Sequence, residues 1–116
     1  MTEDLRLHPR CPVAMSAELT VGVETFAVST VDLSLGGVGL TLSRALREGA
    51  RVRVCVFLTQ DGVEDPDTPP LDIQARVAWV APSDDGSVRA GLRFESIDAK
   101  RQSRLMMLLH TLDMAA

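Results

Sequence analysis

The sequence predicts a mainly β domain, a six-stranded antiparallel barrel with one C-terminal α-helix. Three observations carry that expectation. Apolar and polar residues alternate in six short stretches, turn residues separate those stretches, and the apolar spacing becomes helical only near the C-terminus. Alternation with period 2 marks a strand with one buried face, and a series of short strands suits an antiparallel barrel, which has no exposed edges.

Each element can be justified in order. Val13, Met15, Ala17 and Leu19 alternate with Ala14, Ser16 and Glu18 as a first strand. After a turn around Val21-Gly22, Phe26, Val28 and Thr30 mark a second. Val38, Leu40 and Leu42 follow a glycine turn as a short third. The fourth is the clearest, with Val52, Val54, Val56 and Leu58 on one face and Arg51, Arg53 and Cys55 on the other. Ile73, Ala75, Val77 and Trp79 form one face of a fifth, opposite Gln74 and Arg76. Val88, Ala90, Leu92 and Phe94 alternate with Arg89, Gly91 and Arg93 in a sixth. Leu105, Leu108, Leu109 and Leu112 then repeat at i, i+3, i+4, i+7, with Arg101, Arg104 and Asp113 off that stripe, as in an amphipathic helix. Ser96 or Asp98 is placed to cap its start. Met106, Met107 and Met114 either join the core packing, with some left exposed, or extend an apolar face to a partner.

Residues 59–70 are acidic, proline-rich and aperiodic, which predicts a long hairpin loop between the fourth and fifth strands. Such a loop is a solvated connection or a docking surface for a basic protein. A length of 116 residues with 46% hydrophobic content suits one domain with its own core and argues against disorder. The expected organisation is a flexible N-terminal segment, residues 1–12, followed by a barrel domain with its helix, residues 13–116.

Composition excludes several functions. A net charge of −4 and a pI near 5.0 are wrong for a binder of nucleic acid polymers. One Trp, three Phe and no Tyr also leave few stacking platforms. No apolar run approaches the roughly 20 residues of a membrane span, and the N-terminus lacks a signal-peptide layout, so a cytoplasmic location is expected. Cys11 and Cys55 are in no CxxC spacing and only two His accompany them, so no metal site, no disulfide and no cofactor are expected. No Ser-His-Asp or Cys-His set, phosphate-binding glycine loop or carboxylate cluster is present, so the chain does not read as an enzyme.

Two short motifs remain. Arg6-Leu7-His8-Pro9-Arg10 sets two guanidiniums on a polar, proline-stiffened segment, and Asp32-Leu33-Ser34-Leu35-Gly36-Gly37 sets a carboxylate and a hydroxyl in a turn between strands. Arg6 and Arg10 supply cations for phosphate and Asp32 a purine-reading acceptor, which together suit a small anionic nucleotide. Ser34 can donate or accept, while Gly36 and Gly37 allow close backbone approach or positive φ. The same residue types would also make a solvated tail and a turn that satisfies its own backbone. His8 reads as a partly exposed turn residue.

Together, in this order and within an all-β pattern, the motifs resemble those of the PilZ domain family, RxxxR followed by [D/N]xSxxG. The likeness runs from Arg6 through Leu112, and Arg89-Ala90-Gly91-Leu92-Arg93-Phe94 looks like the family's glycine-bearing closing strand. The resemblance implies a single-domain PilZ-type barrel whose ligand is cyclic di-GMP, held by Arg6, Arg10, Asp32, Ser34, Gly36 and Gly37. It further implies a receptor that passes the level of this second messenger to an unidentified downstream protein controlling motility, pili or exopolysaccharide. The alternative within the family is a PilZ-fold interaction module that does not bind the nucleotide. Many family members carry further arginine beside the basic motif. Here Leu5 and Leu7 flank Arg6, so one ligand per chain is expected.

Overall fold

The computed structural model describes the backbone of residues 11–57, 59–60, 63–64 and 70–115, and side chains within 12–57 and 70–110. Among the described residues, nine strands precede one helix: β1 (Cys11–Pro12), β2 (Ser16–Val21), β3 (Glu24–Leu33), β4 (Gly37–Leu42), β5 (Arg51–Val56), β6 (Thr59–Gln60), β7 (Val63–Glu64), β8 (Leu71–Pro82), β9 (Val88–Phe94) and α1 (Ala99–Ala115). Six of them pair antiparallel in the order β3-β2-β5-β8-β9-β4, and pairing of β3 with β4 closes the ring. The predicted six-stranded barrel with a C-terminal helix is therefore the observed fold. β1 adds beside β3, with Cys11 opposite Leu33 and Pro12 opposite Asp32.

Alternation fills the barrel. Ala17, Leu19, Val28, Leu40, Val54, Val56, Ile73, Ala75, Val77, Ala90 and Leu92 point inward and are buried, while Arg51, Arg53, Gln74, Arg89 and Arg93 face outward. Burying one such aliphatic side chain is worth about 1.5–3 kcal/mol. Leu105 of α1 joins this core with no exposed surface, and Leu108 and Leu109 pack at its margin. Asp98 provides the helix cap, its Oδ1 accepting the Arg101 N–H at 2.8 Å. Met106 and Met107 lie off the packed stripe and are exposed.

The structure departs from the sequence reading in three places. Ladder pairing in β2 begins at Ser16, three residues after the expected start at Val13. The gap is bridged by Thr30, a buried hydroxyl that accepts the Met15 N–H at 2.8 Å and donates to the Val13 carbonyl at 2.6 Å. Residues 59–70, expected as a long aperiodic hairpin loop, contain a short ladder, with Thr59 opposite Glu64 and Gln60 opposite Val63. Asp61-Gly62 between them is a strong hairpin-turn signal in sequence. Finally, β8 carries a bulge between Val77 and Trp79. A bulge inverts the faces that follow it, so Trp79, expected beside Val77 in the core, is 42% exposed.

Among the described residues, no helix is long and apolar enough to cross a membrane, and no three His, Cys, Asp or Glu side chains are grouped to hold a metal ion.

Candidate functional site

The second motif ends β3 and turns into β4. Ser34 is buried, and its hydroxyl is occupied by the turn itself. Its Oγ accepts the N–H groups of Gly36 and Gly37, both at 3.2 Å, and donates to the Gly37 carbonyl at 3.3 Å. The Gly36 carbonyl accepts the Phe94 N–H at 2.9 Å, tying the turn to β9. A Cβ on Gly37 would collide with the backbone carbonyl of Leu92, so close backbone approach is what this glycine permits. Positive φ occurs instead at Gly22, Gly49 and Gly86.

Asp32 is lifted by a second bulge, between Thr30 and Asp32, onto the outward side of the barrel. It is half-buried there, and its Oδ1 accepts the Gly39 N–H at 3.1 Å. Arg6 and Arg10 lie outside the described residues. Arg10 is joined by one peptide bond to Cys11, and Pro12 of the same strand is the partner of Asp32, so the chain that carries the basic motif enters the sheet beside the acidic residue.

The register extends this site beyond the motifs. Pro12, Asp32, Gly39, Gly91 and Trp79 are successive partners across β1, β3, β4, β9 and β8. The two central residues are glycines because their neighbours lie over them. A Cβ on Gly39 would come within 2.7 Å of Asp32 Oδ1, and one on Gly91 would strike the Trp79 indole. A carboxylate and an exposed aromatic ring thus rest on one strip of backbone, separated by three strand spacings, or about 14 Å from backbone to backbone. Such a strip can stack a base on the ring, a contact worth about 1–3 kcal/mol, and read a donor-rich base edge with the carboxylate. Arg89 and Arg93 stand exposed on either side of Gly91 along β9.

Sequence reasoning named Asp32 here and missed Gly39, Gly91 and Trp79 as parts of the site. The signal available for them was the pairing of small residues with a tryptophan across strands, and that needs the register. Elsewhere, a cavity of about 270 Å³ is lined by Arg53, Asp72, Ile73, Gln74, Ser96, Asp98 and Arg101. Its cations are already matched: Arg53 Nε meets Asp72 at 2.8 Å and Arg101 meets Asp98 at 2.5 Å. The hydrogen bond to Asp72 pushes the Arg53 pKa up, and the Arg101 N–H bond holds the Asp98 carboxyl below the ordinary carboxylate range. A neutral, self-satisfied cavity of this kind is ill-suited to a polyanion.

A closed antiparallel barrel with a helix after its last strand and a polar strip beside a glycine turn defines a small helix-bearing β-barrel domain. The PilZ domain family model matches residues 4–110, and the chain belongs to that family. No curated protein matches the chain. Among solved structures, the PilZ domain with c-di-GMP of YcgR from Escherichia coli superposes with a TM-score of 0.76 at 19% identity, covering 95% of this chain and 92% of that one. The Bacillus subtilis inhibitor of motility MotI/DgrA gives 0.78 at 15% identity, with coverage of 95% and 52%. The PilZ domain of CeSA from a cellulose-synthesizing bacterium gives 0.65 at 20% identity, with coverage of 90% and 98%. The chain thus spans about half the length of the inhibitor of motility and nearly all of the isolated PilZ domains.

Proposed function

We propose that this chain is a cyclic di-GMP receptor. The observation that carries the reading is the outward strip Asp32-Gly39-Gly91-Trp79 beside the entry point of the Arg6–Arg10 segment. A guanine stacked on the exposed Trp79 face presents N1–H and N2–H₂ to a carboxylate, and Asp32 is the carboxylate on that strip. Arg6 and Arg10 hold the phosphates with bidentate, charge-assisted bonds. Ser34, Gly36 and Gly37 contribute through the turn: the hydroxyl fixes its shape and the glycines let backbone approach β9 and the ligand. The chain works without chemistry of its own, in the cytoplasm, by handing the occupied state to a downstream protein of the motility, pilus or exopolysaccharide machinery. Support for the ligand class comes from family membership and from the YcgR PilZ domain, which is a complex with c-di-GMP.

A second reading keeps the fold and drops the ligand, leaving an interaction module. It is favoured by Ser34, whose hydroxyl is fully employed within the turn. Calorimetric titration separates the two. The receptor reading expects saturable binding of cyclic di-GMP, with one ligand per chain, in preference to cyclic di-AMP and GTP. Absence of binding would leave the interaction module, and equal binding of the adenine analogue would remove the role given to Asp32. A GTP preference would point away from a cyclic dinucleotide.

A further inference from the structure

We infer that Arg93 is a phosphate-binding residue of the same site, a cation mounted on the barrel itself and lying outside both sequence motifs. The inference rests on the cyclic di-GMP reading and adds a residue to it. Arg51 faces Arg76 across β5 and β8, Arg76 faces Arg93 across β8 and β9, and Arg93 faces Gly37 of the motif turn across β9 and β4. Three guanidiniums in one outward row repel one another unless anions intervene. One carboxylate answers two of them: Glu95 meets Arg76 Nε at 2.9 Å and Arg51 Nε at 3.6 Å. Arg76 also donates to the Gly49 carbonyl at 2.9 Å. Arg93 has no ion pair or side-chain hydrogen bond among the described residues, and it is exposed. The row is one anion short, and the shortfall falls on the arginine next to the motif.

Its place suits that role. Arg93 lies two residues from Gly91, about 7 Å along β9 from the backbone under the Trp79 ring. The Gly36 carbonyl binds the N–H of the next residue, Phe94, which fixes this part of β9 against the motif turn. A dinucleotide lying over Gly39 and Gly91 therefore has the basic N-terminal segment entering at the Asp32 end and Arg93 on the turn side. The two phosphodiesters of the ligand attract such a cation in addition to Arg6 and Arg10. Arg89, on the other side of Gly91, faces Thr41 and Ala81 and lies farther from the turn.

The test is calorimetric titration of cyclic di-GMP into the wild type, Arg93→Ala, Arg93→Gln, Arg93→Lys and the distant control Lys100→Ala, with thermal melting of each. The wild type is expected to bind. Arg93→Ala and Arg93→Gln are expected to bind at least tenfold more weakly with unchanged melting, Arg93→Lys to recover part of the loss, and Lys100→Ala to match the wild type. Raising the salt concentration is expected to weaken the wild type more than Arg93→Ala, because one screened charge pair is gone. Wild-type binding with both neutral variants within twofold would overturn the inference and leave the receptor reading standing. No binding by the wild type would overturn that reading and the inference together.

Discussion

At the scale of single residues, the site is governed by what lies over a glycine. Gly39 and Gly91 are adjacent partners on β4 and β9, covered by Asp32 and Trp79 respectively. Gly91→Ala is therefore expected to lift the indole off the backbone, and Gly39→Ala to displace the carboxylate. Both should weaken cyclic di-GMP binding at least tenfold, and Trp79 fluorescence should shift in Gly91→Ala alone. Asp32→Ala and Arg10→Ala are each expected to cost at least tenfold in affinity, about 1.4 kcal/mol, with the fold retained by circular dichroism. Cys55 offers a different residue-scale check. Burial pushes its thiol pKa up, and the neighbouring carboxylates of Asp72 and Glu18 push the same way. In a Cys11→Ser background, alkylation of Cys55 at pH 8 should be slower than that of free cysteine.

At the scale of elements, side-chain hydrogen bonds complete what the ladders leave open. Thr30→Val keeps the shape of the buried side chain but strands the Met15 N–H and the Val13 carbonyl. An unsatisfied buried donor costs about 1–3 kcal/mol, so the urea midpoint should fall accordingly. The Asp98 cap adds a pH dependence. Its folded pKa lies below the unfolded value of about 3.9, so its contribution is present above that pH and is lost as pH falls through the lower folded value. Asp98→Asn keeps a capping acceptor without the charge, and its urea midpoint should fall less than that of the wild type between pH 5 and pH 2.

The same elements explain what could be read from sequence. Alternation located the strands of the barrel and the stripe containing Leu105 located the helix, because burial on one face imposes a period. Bulges have no such period. One extra residue at Val31 turned Asp32 outward, and another near Ala78 turned Trp79 outward, so the expected core position of Trp79 was inverted. The candidate site was legible as Asp32 and its turn. Its partners Gly39 and Gly91 became recognisable only once cross-strand register placed them under specific side chains.

At the scale of the whole molecule, closure of the sheet through β3 and β4 brings residues far apart in sequence onto one strip. Residue 12 enters at one end and residue 79 closes the other. Ligand contact with Arg6 and Arg10 should couple the N-terminal segment to that strip. Hydrogen exchange across residues 1–12 is expected to slow when cyclic di-GMP binds, and unchanged exchange despite binding would locate the coupling elsewhere. The most direct test of the account is a map of amide and indole chemical shifts as cyclic di-GMP is added. The largest changes are expected at Gly39, Gly91, Arg93 and the Trp79 indole, with little at Val23 or around the cavity of Arg53, Asp98 and Arg101. Changes centred on that cavity, with the strip unperturbed, would contradict it.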